Sequence, residues 1–196
     1  SPEGELYRKS RTLYGIERAR AAMAKRGRAV VVEGYTDVLA AHQAGVEETV
    51  AVMGTAITEQ QIETLARFTS EVILALDADR AGRDAMLRGH AVAAKKEVRL
   101  RIVQMPSGTD PADLLAGSTP SDDAVRRFEQ LIEQAVEVPT FEVNALLDDA
   151  DLRSPSGRDE ALASSLAVID SVVSPITRDE LIRTVSNRVG LDPGVV

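Results

Sequence analysis

Four short β-branched runs mark the first part of the chain: Ala29–Val32, Thr49–Met53, Val72–Leu76 and Val98–Val103. They are nearly continuous in apolar residues rather than alternating, the pattern of strands covered on both faces. Between them lie stretches of helical length, about Thr36–Ala44, Thr58–Phe68 and Gly82–Lys95, and the second opens with Thr58 and Gln61 at capping-box spacing. Strand–helix–strand alternation of this kind predicts right-handed crossovers and a parallel sheet. In such sheets ligands bind beyond the carboxyl ends of the strands, where helix N-termini converge.

After Ser107-Gly108 the pattern changes. Gly117-Ser118-Thr119-Pro120-Ser121 has the composition of a linker, and no strand pattern is read beyond it. Ser121-Asp122-Asp123 predicts a capped helix with apolar positions Val125, Phe128, Ile132 and Ala135 at helical spacing. A break at Val138-Pro139 precedes a second helical run through Leu147. Ser154-Pro155-Ser156-Gly157 reads as a loop, followed by helices over Asp159–Val172 and Pro175–Val189, the last closed by Gly190. The expected organisation is therefore a lead-in segment (1–28), an α/β domain (29–118) and a helical bundle (119–196).

Composition narrows the chemistry. Among 196 residues there is no Cys and there are only two His, which excludes disulfides, thiolate zinc sites and a cysteine nucleophile. Any bound metal must be held by oxygen. No apolar run reaches the roughly 20 residues that span a bilayer, so no membrane role is expected. The opening Ser1-Pro2-Glu3-Gly4 reads as the middle of a polypeptide, and a fragment of a cytoplasmic protein is expected. The net charge of −8 argues against nucleic acid, yet residues 1–28 carry eight Lys/Arg against three acids. That basic arm can form a local positive ridge, or simply a solvated helix face.

The acids sit where the strand runs end. The first run delivers Glu33-Gly34-Tyr35-Thr36-Asp37, with Gly34 expected to permit a tight turn. The third delivers Asp77-Ala78-Asp79-Arg80-Ala81-Gly82, whose two aspartates share one side of an extended segment. The fourth is followed by Gly108-Thr109-Asp110-Pro111-Ala112-Asp113. A single such acid is more often a helix cap, and Asp110 before Pro111 looks like one. Their coincidence at three strand ends points instead to a shared hard cation, Mg²⁺ or Mn²⁺.

The two acidic motifs resemble the signatures of the Toprim domain. The Tyr of E-G-Y-x-D, the full D-x-D-R-A-G-R-D-A and the later G-x-D-P-A-D resemble those of bacterial DnaG-type primases. Lys9-Ser10-Arg11-Thr12-Leu13-Tyr14-Gly15 resembles the basic motif preceding Toprim in that family. The resemblance implies a Rossmann-like Toprim sheet followed by a helical bundle, and a replication enzyme making RNA primers by nucleotidyl transfer. It implies that Glu33, Asp77 and Asp79 are catalytic and hold two or more Mg²⁺ or Mn²⁺ ions, with Asp37 and Asp110 nearby and no zinc in this segment. Lys9, Arg11, Arg80 and Arg83 would face template or nucleotide phosphates. Implied partners are single-stranded DNA, ribonucleoside triphosphates, the RNA primer and a replicative helicase, the last through a domain outside this chain. The expected location is the bacterial cytoplasm, at the nucleoid and replisome.

Two other readings share these residues. A Toprim nuclease or topoisomerase module uses both acidic motifs, although E-G-Y-T-D departs from the E-G-D-S-A usual in type II topoisomerases. A non-catalytic DNA-binding scaffold is the third, and it gains nothing from mutually repelling acids. With three Tyr, three Phe and no Trp, backbone contacts rather than base stacking are expected to dominate template binding.

Overall fold

A computed structural model describes residues 8–53, 57–76, 83–106, 109–116 and 120–194; at 83–85, 87 and 88 it describes the backbone alone. Residues Ser1–Glu137 and Val138–Val196 form two compact units.

In the first unit, β1 (Ala29–Val32), β2 (Thr49–Ala51), β3 (Glu71–Leu74) and β4 (Arg99–Ile102) are parallel, and β5 (Val136–Glu137) runs antiparallel along the edge. The order β2-β1-β3-β4-β5 reverses direction between β1 and β3, which places the topological switch point at their carboxyl ends. All four residues of β1 are fully buried, as its uninterrupted valines require.

Both faces of the sheet are covered. Val30, Val32, Ile73, Ala75 and Val103 pack in one cluster with Val38 and Ala41 of α2 (Tyr35–Gln43). The same cluster takes in Leu115, just beyond α5 (Pro111–Leu114), and Phe128 and Ile132 of α6 (Asp122–Glu133). On the opposite face α3 (Glu59–Leu65) packs against α4 (Arg83–Lys95). There Gly89 faces Ile62 and Leu100, and a Cβ on it would meet them at 3.5 and 3.6 Å, an ordinary van der Waals contact. The lead-in is part of this unit. Tyr14 bridges Ala51 at the end of β2, and α1 (Ile16–Arg26) buries Ala19 and Met23. Each large apolar side chain buried here contributes about 1.5–3 kcal/mol.

Three expectations change. The linker-and-bundle reading assigned α6 to the C-terminal part, but its apolar stripe is in the sheet core, and a short strand follows it. Arg101 explains the strand. It donates to the carbonyls of Glu133 and Ala135 and pairs with Glu71, tying the end of α6 to the sheet so that Val136 and Glu137 pair with Ile102 and Arg101. Second, the Ser154–Gly157 loop is the first turn of α8 (Pro155–Asp170). Ser154 Oγ accepts from Gly157 N–H at 3.0 Å and Pro155 takes the first helical position, where its missing N–H costs nothing. Third, Gly34 is extended (φ −114°), so the turn after β1 needs no left-handed residue; it needs space, since a Cβ there would lie 3.2 Å from the Asp37 carboxylate.

The second unit consists of α7 (Val138–Asp149), α8 and α9 (Pro175–Val189), helices packed on one another with Val143, Leu147, Ile169, Leu181 and Val185 buried. Gly190, left-handed at φ 75°, closes α9. No helix among the described residues is long and apolar enough to cross a membrane.

Candidate active site at the carboxyl rim of the sheet

Glu33 follows β1 directly, at the switch point. Its carbonyl accepts from Met53 N–H at 2.9 Å, which locks the exits of β1 and β2 together, and Met53 takes a left-handed φ of 61° to do so. Four residues on, Asp37 is 4% exposed at the third position of α2. Its Oδ2 accepts from Gly34 N–H at 2.9 Å and caps the helix. Its Oδ1 accepts from Ala112 N–H at 3.2 Å, in the first turn of α5. One buried carboxylate thus fastens the rim beyond β1 to the rim beyond β4.

Asp110 caps α5, with Oδ1 accepting from Asp113 N–H at 2.6 Å and Pro111 at the first position. The cap reading of Asp110 is therefore correct, and it leaves the rest of that carboxylate exposed. Burial raises Asp37 above the usual carboxylate range; its two N–H bonds oppose this, while the charges of Asp110 and Glu33 push the same way as burial. Three acids from two strand ends are thus close enough to repel one another.

Asp77, Asp79 and Arg80 lie outside the described residues, as does the side chain of Arg83, whose backbone opens α4. Among the described residues no group of three acids or histidines is arranged to hold a metal ion. Glu33, Asp37 and Asp110 offer only hard oxygen donors, which suit Mg²⁺ or Mn²⁺, but they do not complete a site by themselves.

The basic lead-in sits on the same rim. Lys9 and Arg11 belong to the turn before Tyr14, which reaches the end of β2. The turn rests on the N-terminus of α3: Gln61 Nε2 donates to the carbonyls of Lys9 and Thr12, and Arg11 Nε donates to Gln60 Oε1 at 3.0 Å. Sequence reasoning found the Thr58–Gln61 capping box, which is present, but not that Gln61 also grips a segment some 50 residues earlier. It also missed the edge-on pairing of Tyr14 and Tyr35, whose exposed rings lie 6.2 Å apart. His42 bonds the Thr49 carbonyl and His90 is half-buried.

Residues 30–115 match a family model described as Toprim-like, and residues 140–194 match one described as the DnaB-helicase binding domain of primase. The second match corrects the expectation that a helicase-contacting segment lies wholly outside this chain; the helical period there carries packing, not a readable motif. The chain is 36% identical over 194 residues to the DNA primase of Escherichia coli (strain K12), covering 97% of this chain and 32% of that protein. It is likewise 36% identical over 199 residues to the DNA primase of Mycobacterium bovis, covering 97% and 30%. The chain thus spans about a third of the curated relatives it matches. The DnaG primase catalytic domain bound to ssDNA superposes with a TM-score of 0.76 at 34% identity, covering 100% of this chain and 62% of that one. The RNA polymerase domain of Mycobacterium tuberculosis primase DnaG in complex with double-stranded DNA gives 0.76 at 36%, covering 97% and 60%. With a Toprim-like match over its sheet and likeness along nearly its whole length, the chain belongs to the bacterial DnaG-type primases.

Proposed function

We propose that this chain is the Toprim-bearing part of a primase catalytic core, joining ribonucleotides into short primers on a single-stranded DNA template. The observation that carries the reading is the meeting of Glu33, Asp37 and Asp110 at the switch-point rim, next to a basic turn, in a chain with primase likeness along 97% of its length.

In this reading Glu33, Asp77 and Asp79 are the principal ligands of hard divalent ions, with Asp37 and Asp110 as further candidate ligands. When bound, a pair of such ions lowers the pKa of an attacking 3′-hydroxyl and neutralises the oxygens of departing pyrophosphate. The protein's own task is placement. Strand ends are rigid mounts, and Asp37 holds the Glu33 turn and the Asp110 helix at a fixed spacing through two backbone bonds. Lys9, Arg11, Arg80 and Arg83 hold template or triphosphate, a guanidinium suiting phosphate bidentately. Residues 138–196 contribute a contact to the replicative helicase, in keeping with the match over 140–194.

The test is incubation with single-stranded template, labelled ribonucleotides and Mn²⁺. Extension products support primer synthesis, shortened template supports a Toprim nuclease instead, and an unchanged template removes catalysis by this segment. Calorimetry of Asp77→Asn/Asp79→Asn with Mn²⁺ tests the ligand assignment, and unchanged affinity refutes it.

A further inference from the structure

The first turn of α3 holds more of the basic segment than a helix cap requires. Gln61 is 0% exposed, yet its carboxamide is fully engaged. Oε1 accepts from Thr58 N–H at 2.9 Å, while Nε2 donates to the carbonyls of Lys9 and Thr12, each at 3.0 Å. Thr58 Oγ1 accepts from Gln61 N–H at 3.2 Å and donates to the Ser10 carbonyl at 2.6 Å. Gln60 is exposed, and its Oε1 accepts from Arg11 Nε at 3.0 Å.

Capping uses only the oxygen of Gln61. Its two N–H donors are buried and would be costly if left unmade. They are satisfied by backbone carbonyls on either side of Ser10 and Arg11, so the basic turn cannot shift without stranding them. Arg11 has five donors in a fixed fork, and the bond to Gln60 engages Nε alone. That leaves the terminal pair of nitrogens, the edge that grips a phosphate, in a set orientation.

We infer that Gln60 and Gln61 are positioning residues for template DNA, acting through Arg11 and the turn that bears Lys9, with a backbone phosphate of single-stranded DNA as the ligand. The inference rests on the reading that Lys9 and Arg11 meet template phosphates. Ordering a long side chain before binding removes an entropic cost worth about two- to tenfold in affinity.

The experiment is fluorescence anisotropy of a labelled oligothymidylate with the full chain across a salt series. Gln60→Ala, at an exposed position, is expected to weaken binding about two- to tenfold with the salt slope unchanged, because the phosphate contact survives but is no longer pre-set. Arg11→Gln is expected to lower the slope by about 0.7, the value for one phosphate contact on a single strand. The double variant should be no weaker than Arg11→Gln alone. Gln61→Glu keeps the cap acceptor but turns an acceptor toward two carbonyls, and should weaken binding more than Gln60→Ala, with folding checked by circular dichroism. Unaltered affinity in Gln60→Ala, or full additivity with Arg11→Gln, overturns the inference while leaving the template reading intact. Unaltered affinity and slope in both Lys9→Gln and Arg11→Gln overturn the template reading itself, and the inference with it.

Discussion

Asp37 joins two loops with one buried carboxylate, and its replacement separates what the bonds contribute from what the charge costs. In Asp37→Ala the N–H groups of Gly34 and Ala112 both lose their acceptor. Loss of a helix cap costs about 1 kcal/mol, and a stranded N–H at a half-buried site about 1–2 kcal/mol more, so a loss of about 2–3 kcal/mol is expected. Asp37→Asn keeps one acceptor and loses one bond, about 1 kcal/mol, but also removes a buried charge facing Asp110 and Glu33. At neutral pH it should therefore unfold within about 1 kcal/mol of the parent. The pH dependence follows from the direction of the shift. The folded state raises Asp37 above 3.8, so it binds the proton more readily than the unfolded chain. This contribution is fully present at low pH and is lost as pH rises from 3.8 through the raised value. The Asn variant lacks it and should gain on the parent across that window. Urea unfolding followed by far-UV circular dichroism, at several pH values, reads both quantities. A loss in Asp37→Ala below about 0.5 kcal/mol would show that the two bonds do not hold the rim. A pH-independent gap between Asn and parent would remove the charge argument.

Glu48 is fully buried and its Oε1 lies 2.9 Å from Arg28 Nε, with Arg26 at 3.5 Å from Oε2; Arg28→Met should cost about 3 kcal/mol by urea titration, the lower end for a broken buried pair, because Arg26 remains. Gly157→Ala would put a Cβ 2.3 Å from the Asp151 carbonyl oxygen, and a thermal melt should show a loss of at least about 2 kcal/mol. Burial lowers His90 below 6.5, against the opposing charge of Glu137, so its ring proton should titrate below that value by NMR. The stability tied to neutral His90 is present above pH 6.5 and lost as pH falls through the lowered value, a trend that His90→Gln should abolish.

The strand runs translated almost directly into β1 to β4, because a doubly covered parallel strand writes itself as unbroken β-branched residues. The helices capped by Thr58, Asp110 and Ser121 start where those side chains predicted. Local chemistry failed where one cue had two meanings. Ser-Pro-x-Gly suits a loop and equally a capped first turn, and here Ser154 Oγ accepts from the Gly157 N–H to open the helix. The stripe on α6 declared an apolar face but not its partner. That partner is the sheet, recruited across Arg101.

By itself the sequence determined the alternation of β1 to β4 with their helices, the absence of thiolate metal ligands, and the placement of acids immediately after apolar runs. These follow from residue type, period and caps, all of which act over a few positions. The tertiary structure alone decided which polar groups meet. Asp37 accepts from an N–H 75 residues away, and Gln61 grips a turn 49 to 52 residues before it. Contacts of that span depend on the sheet order and on the requirement that every buried donor find an acceptor, and no local pattern encodes either.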